Sequence, residues 1–265
     1  MKMSLWEINC RQHDSRTQRE KPFRVVRCEF NYKTNATDTH LLNSILEKGK
    51  ELAALVNPKA ANYATTPRSY DKILNSCVAG LLSEWLWKKL LNRRGEIVAE
   101  TEFHHSKTQI DLQVLSSGQK IEVRSSFPRN GIPFAICSYS HEFDVIGPYA
   151  NQYKPEEIQK DYYVRTLFHL AKVGEQKDIK GRTWPIVERL IDKFRQDRFE
   201  AYLTGGATWQ MMNDDSISKN KDFIPEDEMS LERLGVASQY RVVPFHKALD
   251  TLEVCDIICK NNLKR

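Results

Sequence analysis

Residues 108–126 read TQIDLQVLSSGQKIEVRSS, and the rest of the architecture can be built outward from them. Val, Ile and Leu alternate with polar residues on both sides of a Ser-Ser-Gly-Gln turn, which is the pattern of a half-buried hairpin. With the loop centred on Ser117-Gly118, Asp111 is expected opposite Arg124 and Gln113 opposite Glu122. Ile110, Leu112 and Val114 then share one face with Ile121 and Val123. The other face carries Gln109, Asp111, Gln113, Lys120, Glu122 and Arg124. Diagonal neighbours across such a pair lie roughly 7–8 Å apart at the backbone. Two carboxylates at that spacing can turn onto one hard divalent cation. Mg²⁺ takes oxygen ligands and keeps several waters, one of which can attack a phosphodiester.

Upstream, the period changes from two to that of a helix. Residues 40–56 (HLLNSILEKGKELAALV) predict a helix stopped by Asn57-Pro58, and residues 69–95 predict a second, with Gly95 as its stop. Residues 23–32 and 96–103 read as strands, and the polar residues 1–22 as a loose arm or a segment that orders on a partner. Downstream, a short helix is expected before a strand at 162–170, and an amphipathic helix at 184–197 with Pro185 in its first turn. A strand at 199–203 is expected to end at a Gly205-Gly206 turn. Residues 213–230 then predict an exposed acidic loop, 240–245 a strand and 252–259 a closing helix. This order predicts a mixed central sheet flanked by helices, an α/β or α+β class. The chain divides into an arm (1–34), a helical region (35–95) and a sheet core (96–265), all within one domain.

Composition sets outer bounds. The chain has 265 residues, 40 Lys and Arg against 35 Asp and Glu, and a formal charge of +5. Such a balance is compatible with a polyanionic partner without arguing for one. Six scattered cysteines form no Cys-x-x-Cys pair, which speaks against a zinc site or a redox motif. No apolar run approaches membrane-spanning length, and MKMSLWEINC lacks a signal-peptide core. A cytoplasmic protein with reduced thiols is expected, with no membrane association.

A helix with a glutamate, a strand with an aspartate and a strand bearing (Asp/Glu)-x-Lys occur in that order in one large group of nucleases. Over roughly residues 70–210 this chain resembles them, the restriction-endonuclease-like or PD-(D/E)XK superfamily. Glu84 in LLSEWLWKKLL, Asp111 in QIDLQV and Glu122-Val123-Arg124 in KIEVRSS occupy the matching positions. The resemblance implies a Mg²⁺-dependent endonuclease, with Mn²⁺ as a substitute ion, acting on double-stranded DNA. Asp111 and Glu122 would bind the metal, and Glu84 would help place water or a second ion. A type II-like restriction or defence enzyme working as a homodimer fits the same analogy. The alternative is a nucleic-acid-binding protein on this scaffold with weakened catalysis.

Two positions depart from the pattern. Ile110 stands where a proline often precedes the aspartate, and Arg124 stands where the motif has lysine. An arginine keeps its proton under any realistic condition, so Arg124 cannot act as a general base. It can steady a phosphate, since a fixed cation near a developing oxyanion is worth on the order of 3 kcal/mol. Lys120, on the same hairpin face about 6–7 Å along the strand, is the candidate stand-in.

Each residue also has a plainer role available. Asp facing Arg is ordinary sheet-surface pairing, and Glu84 is spaced to pair with Lys88 one helical turn on. His104 could touch substrate, as could Gln113 on the polar hairpin face, and Arg93 and Arg94 could grip phosphates. Turn histidines and solvated helix ends are the commoner outcome. Tyr162, Tyr163 and Arg165 read as strand core before they read as a stacking platform.

Overall fold

The opening residues are not a loose arm. In the computed structural model they form strand β1 (Lys2–Ile8), antiparallel to β2 (Phe23–Phe30) with Leu5 opposite Val26. A one-turn helix, α1 (Cys10–His13), lies between them. An edge strand has one neighbour and tolerates charged residues, so its composition hid it. The structure describes residues 1–17, 19–58, 68–101, 110–128, 130–140, 143–150, 157–177, 181, 183–196, 198–223 and 238–262.

Helix α2 (Ala36–Leu55) begins ahead of the expected start because the Asn35 side chain accepts from the Thr37 and Asp38 amides. Helix α3 (Tyr70–Leu91) is capped by Ser69 and tightens into a 3-10 turn at Asn92–Arg94. Gly95, with φ of 134°, ends it at a conformation that other residues resist. Three strands follow: β3 (Val98–Glu100), β4 (Leu112–Val114) and β5 (Lys120–Ser126).

Next come α4 (Ile132–Cys137), β6 (Asp144–Ala150) and β7 (Tyr162–Leu167). A separate two-stranded ribbon, β8 (Lys172–Lys177) and β9 (Thr183–Val187), precedes α5 (Leu190–Phe194). The chain closes with β10 (Phe199–Thr208), α6 (Trp209–Met212), β11 (Lys219–Phe223), β12 (Ser238–Pro244) and α7 (Thr251–Asn262).

The central sheet has seven strands in the order β1-β2-β10-β7-β5-β4-β3. Among the described residues only β5 and β7 run parallel, so the sheet is mixed, as expected for the α/β or α+β class. Its first apolar face packs Val26, Leu112, Ile121, Val164 and Leu203 beneath α2, α3, α5 and α7. The opposite face packs Val25, Tyr163 and Leu167 against α1, α4, α6 and the small sheet β11-β12-β6. Among the described residues no helix is long and apolar enough to cross a membrane.

Further expectations give way, and β11 forms within the stretch 213–230 expected to be a loop. The predicted helix at 184–197 is a strand followed by the short α5. The aromatic and β-branched run Trp184-Pro185-Ile186-Val187 prefers extended backbone, and its proline donates nothing to a helix. Gly205-Gly206 is no turn: β10 continues through it with a bulge against β7. There Gly206 bridges to Leu249, and Gly205 takes φ of 82°. Finally, Cys10 and Cys137 are joined in a disulfide spanning 127 residues, in place of two reduced thiols. Spacing within the sequence could not bring them together; the packing of α1 on α4 does.

Candidate active site

The hairpin forms, but in another register. Leu112 pairs with Ile121 and Gln113 with Lys120, so Asp111, one residue before β4, continues across from Glu122 rather than Arg124. The turn closes earlier than assumed. Gly118, at φ of 70°, donates to the Val114 carbonyl, and Val114 donates to Gln119. A slip of two residues leaves every side chain on its expected face. Leu112, Val114, Ile121 and Val123 are accordingly buried under α3. The two acids come to the same level of the hairpin, and Asp111 accepts from the amide that follows Glu122.

Asp111 and Glu122 are both buried, 7% and 5% exposed. The amide of Val123 donates to Asp111 Oδ2 at 2.7 Å, which fixes that carboxyl against β5. Glu122 is held from both sides. Arg124 Nη2 lies 2.7 Å from its Oε1, and Lys160 Nζ lies 2.9 Å from its Oε2. Lys160 is 1% exposed and sits two residues ahead of β7, the parallel neighbour of β5, where its amide donates to the Tyr163 hydroxyl. Arg124 Nη2 also reaches Glu157 Oε1 at 2.8 Å.

Helix α3 brings Glu84 into the field of the same acids. Burial, and then the charges of Asp111, Glu122 and Glu100, raise its carboxyl well above the usual range. Asp111 is raised to about 7 by burial and by Glu122, against the opposing pull of the Val123 amide, Arg124 and Lys160. Carboxyls crowded in this way attract a hard divalent cation. Carboxyl oxygens are the donor type that Mg²⁺ takes, and an ion there would have to displace the protons that Glu84 and Asp111 retain.

The ligand set is not preassembled. Among the described residues no group of three or more His, Cys, Asp or Glu side chains stands ready to hold a metal ion. The cause is local. Both oxygens of Glu122 face cations, and one of Asp111 faces an amide. The donors are oxygens of the kind a hard cation takes, and one of the cations on Glu122 would have to yield for an ion to bind there.

The structure gathers Asp111, Glu122, Arg124 and Glu84. Lys120 pairs with Gln113 across the hairpin, and its amide donates to Asp161 Oδ2. The lysine at the acids is Lys160. Sequence reasoning missed it because it precedes an all-buried strand, YYVRTL, in a stretch with no helical or alternating period. Gln113 braces the turn by donating to the Gly118 carbonyl at 3.1 Å. Lys88 pairs with Glu100 at 3.4 Å instead of with Glu84. Arg93 is exposed, and its charge is felt by Cys28 and Cys255. The side chain of Arg94 and all of His104 lie outside the described residues. Tyr162, Tyr163 and Arg165 are core, at 2%, 1% and 3% exposed.

No protein-family model matches the chain, and no solved structure matches it. It is similar to the uncharacterized protein MJECS01 of Methanocaldococcus jannaschii. The two are 26% identical over 258 residues, covering 86% of this chain and 85% of that protein.

Proposed function

We propose that this protein is a divalent-cation-dependent endonuclease that hydrolyses phosphodiester bonds of double-stranded DNA. The observation that carries the reading is the buried pair Asp111 and Glu122, facing across the β4–β5 hairpin with Glu84 from α3 in their field. Asp111 and Glu122 are the residues that would hold Mg²⁺ or Mn²⁺, with Glu84 beside them. An ion there would act as a Lewis acid on the phosphate and lower the pKa of a water.

The chain's own groups do the remainder. Lys160 and Arg124 hold Glu122 oriented between β5 and the start of β7. Arg124 then offers a permanent positive charge to a non-bridging phosphate oxygen, where it steadies charge that grows as the bond breaks. The Val123 amide fixes the Asp111 carboxyl so that no reorientation is needed during reaction. A homodimer, which would present two such sites to the two strands, and a cytoplasmic restriction or defence role follow the same analogy.

One observation favours a second reading, a nucleic-acid-binding protein that does not cleave: the engagement of both Glu122 oxygens by resident cations. Plasmid cleavage with and without Mg²⁺, run beside a DNA-binding assay on the natural chain and Asp111→Ala, separates the two. Ion-dependent cutting that the substitution abolishes while DNA binding persists supports the nuclease. Binding without cutting in either chain supports the second reading.

A further inference from the structure

A cleft of about 700 Å³ opens beside the α1–α4 junction that the Cys10–Cys137 disulfide closes. Its lining includes Ser15, Arg16, Asn130, Phe134, Ser138 and Ser140. Helix α4 packs in the same apolar layer as Tyr163, the β7 partner of Glu122, so the cleft and the candidate ion site share one side of the central sheet. Arg16 is fixed in the cleft wall by a second lining residue. Its Nε donates to Asp14 Oδ1 at 3.0 Å and its Nη2 to Asp14 Oδ2 at 2.8 Å, a two-pronged fork. The Tyr139 amide donates to the same Oδ2 at 3.0 Å, and the guanidinium Cζ lies over the Tyr139 ring, 5.9 Å from its centroid. Two consequences follow for what the cleft can hold. The charge of Arg16 is matched by Asp14, and the donors along one edge of its fork are spent. Its flat face is what it still has to offer.

We propose that this cleft receives one unpaired nucleobase of bound DNA, stacked on the Arg16 guanidinium and met at its edge by Asn130 and the neighbouring serine hydroxyls. The inference rests on the reading of the protein as a DNA nuclease, and it adds the feature of the substrate that this second site recognises. A free phosphate would need an arginine with its fork and charge to spare, and here both are committed to Asp14. A nucleobase needs neither. It is planar and uncharged, and it stacks on guanidinium planes and aromatic faces such as Phe134, whatever its identity. Taken out of the duplex it also exposes donors and acceptors, which an amide and hydroxyls can satisfy. The volume lies within the range of small-molecule sites and leaves room for the sugar beside the base. The disulfide and the bond from the Thr17 hydroxyl to the Cys137 carbonyl hold the two walls together before anything enters.

Fluorescence anisotropy with two labelled DNA duplexes, in EDTA so that nothing is cut, tests this. One duplex is fully paired and the other carries a single unpaired adenine. The natural chain is expected to bind the second about tenfold more tightly, the scale of one base stacked on a side chain. Arg16→Lys keeps the positive charge but has no plane, and is expected to reduce the preference to less than about twofold while paired-duplex affinity changes little. The Arg16 side chain is 60% exposed, so the change leaves the core intact, as circular dichroism would verify. If Arg16→Lys nonetheless fails to fold, Phe134→Leu takes its place with the same expected contrast. Equal binding of both duplexes by the natural chain overturns the proposal, and so does binding of neither. A preference that survives the substitution overturns it too, as does equal weakening on both duplexes, which would make Arg16 a phosphate contact. Mg²⁺-dependent cleavage by a chain without the preference would remove the base site and leave the nuclease reading standing. The preference without cleavage would do the reverse.

Discussion

Lys160 Nζ lies 2.9 Å from Glu122 Oε2, and both side chains are almost wholly out of water. Stranding a buried charge outright typically costs about 3–5 kcal/mol; Lys160→Met removes one of two cations on Glu122 and leaves Arg124 at 2.7 Å. The substitution is expected to lower the unfolding free energy by less than that amount in urea denaturation. Lys160→Met combined with Glu122→Gln should recover part of the loss, since neither charge is then stranded. Equal stability of Lys160→Met and the natural chain would mean that the lysine is not buried against Glu122.

Asp111 titrates at about 7 in the fold, far above an unfolded aspartate, and Glu84 is displaced in the same direction. The folded protein therefore keeps protons that the unfolded chain has already released. Ion-free stability should fall as pH rises from about 4, the unfolded value, to about 7. Asp111→Asn should flatten that slope, as followed by thermal unfolding across the range. Divalent ions compete with those protons, so Mn²⁺ affinity should rise through the same window. A protein that becomes more stable between pH 4 and 7 without ions would contradict the burial of these carboxyls.

The fold was legible wherever a period was clean. The β4–β5 hairpin, β2, β7, α3 and α7 all follow alternation or a helical stripe backed by an apolar face. Register was harder, because Ser116, Ser117 and Gly118 allow more than one loop closure, and the choice moved Asp111 from Arg124 to Glu122. Lys160 was not legible at all. Its role comes from the parallel pairing of β5 with β7, a contact between segments that the sequence holds about forty residues apart. Arg124 stands at the position where the resemblance expects lysine, and Lys160, two residues ahead of β7, also reaches Glu122.

Cys10 and Cys137 tie α1 to α4 across 127 residues of chain. The Thr17 hydroxyl, donating to the Cys137 carbonyl at 2.6 Å, holds the same junction. A cross-link closing so long a loop typically contributes about 2–5 kcal/mol. Cys137→Ser, or reduction with dithiothreitol, is expected to lower the melting temperature. Mass spectrometry after alkylation should find two fewer free thiols before reduction than after it. Six thiols in the untreated protein would show the bond unformed.

The glycine pair in β10 is required by close approach. A Cβ on Gly206 would stand 2.2 Å from the Tyr163 carbonyl oxygen, and one on Gly205 2.1 Å from that of Leu249. Backbone cannot give way as a flexible side chain does. Gly206→Ala is expected to cost at least about 2 kcal/mol in denaturant unfolding. It should also disturb the site, because Tyr163 is the strand neighbour of Glu122. A neutral Gly206→Ala would refute the pairing of β10 with β7 at this point.

The claim on which the functional account stands is that a divalent ion binds between Asp111 and Glu122. A crystal soaked in Mn²⁺ and measured at the manganese absorption edge tests it directly. The account predicts an anomalous peak bridging the two carboxylates, with Arg124 or Lys160 drawn away from Glu122. Saturating Mn²⁺ with no peak there, and Arg124 and Lys160 still closed on Glu122, would contradict it.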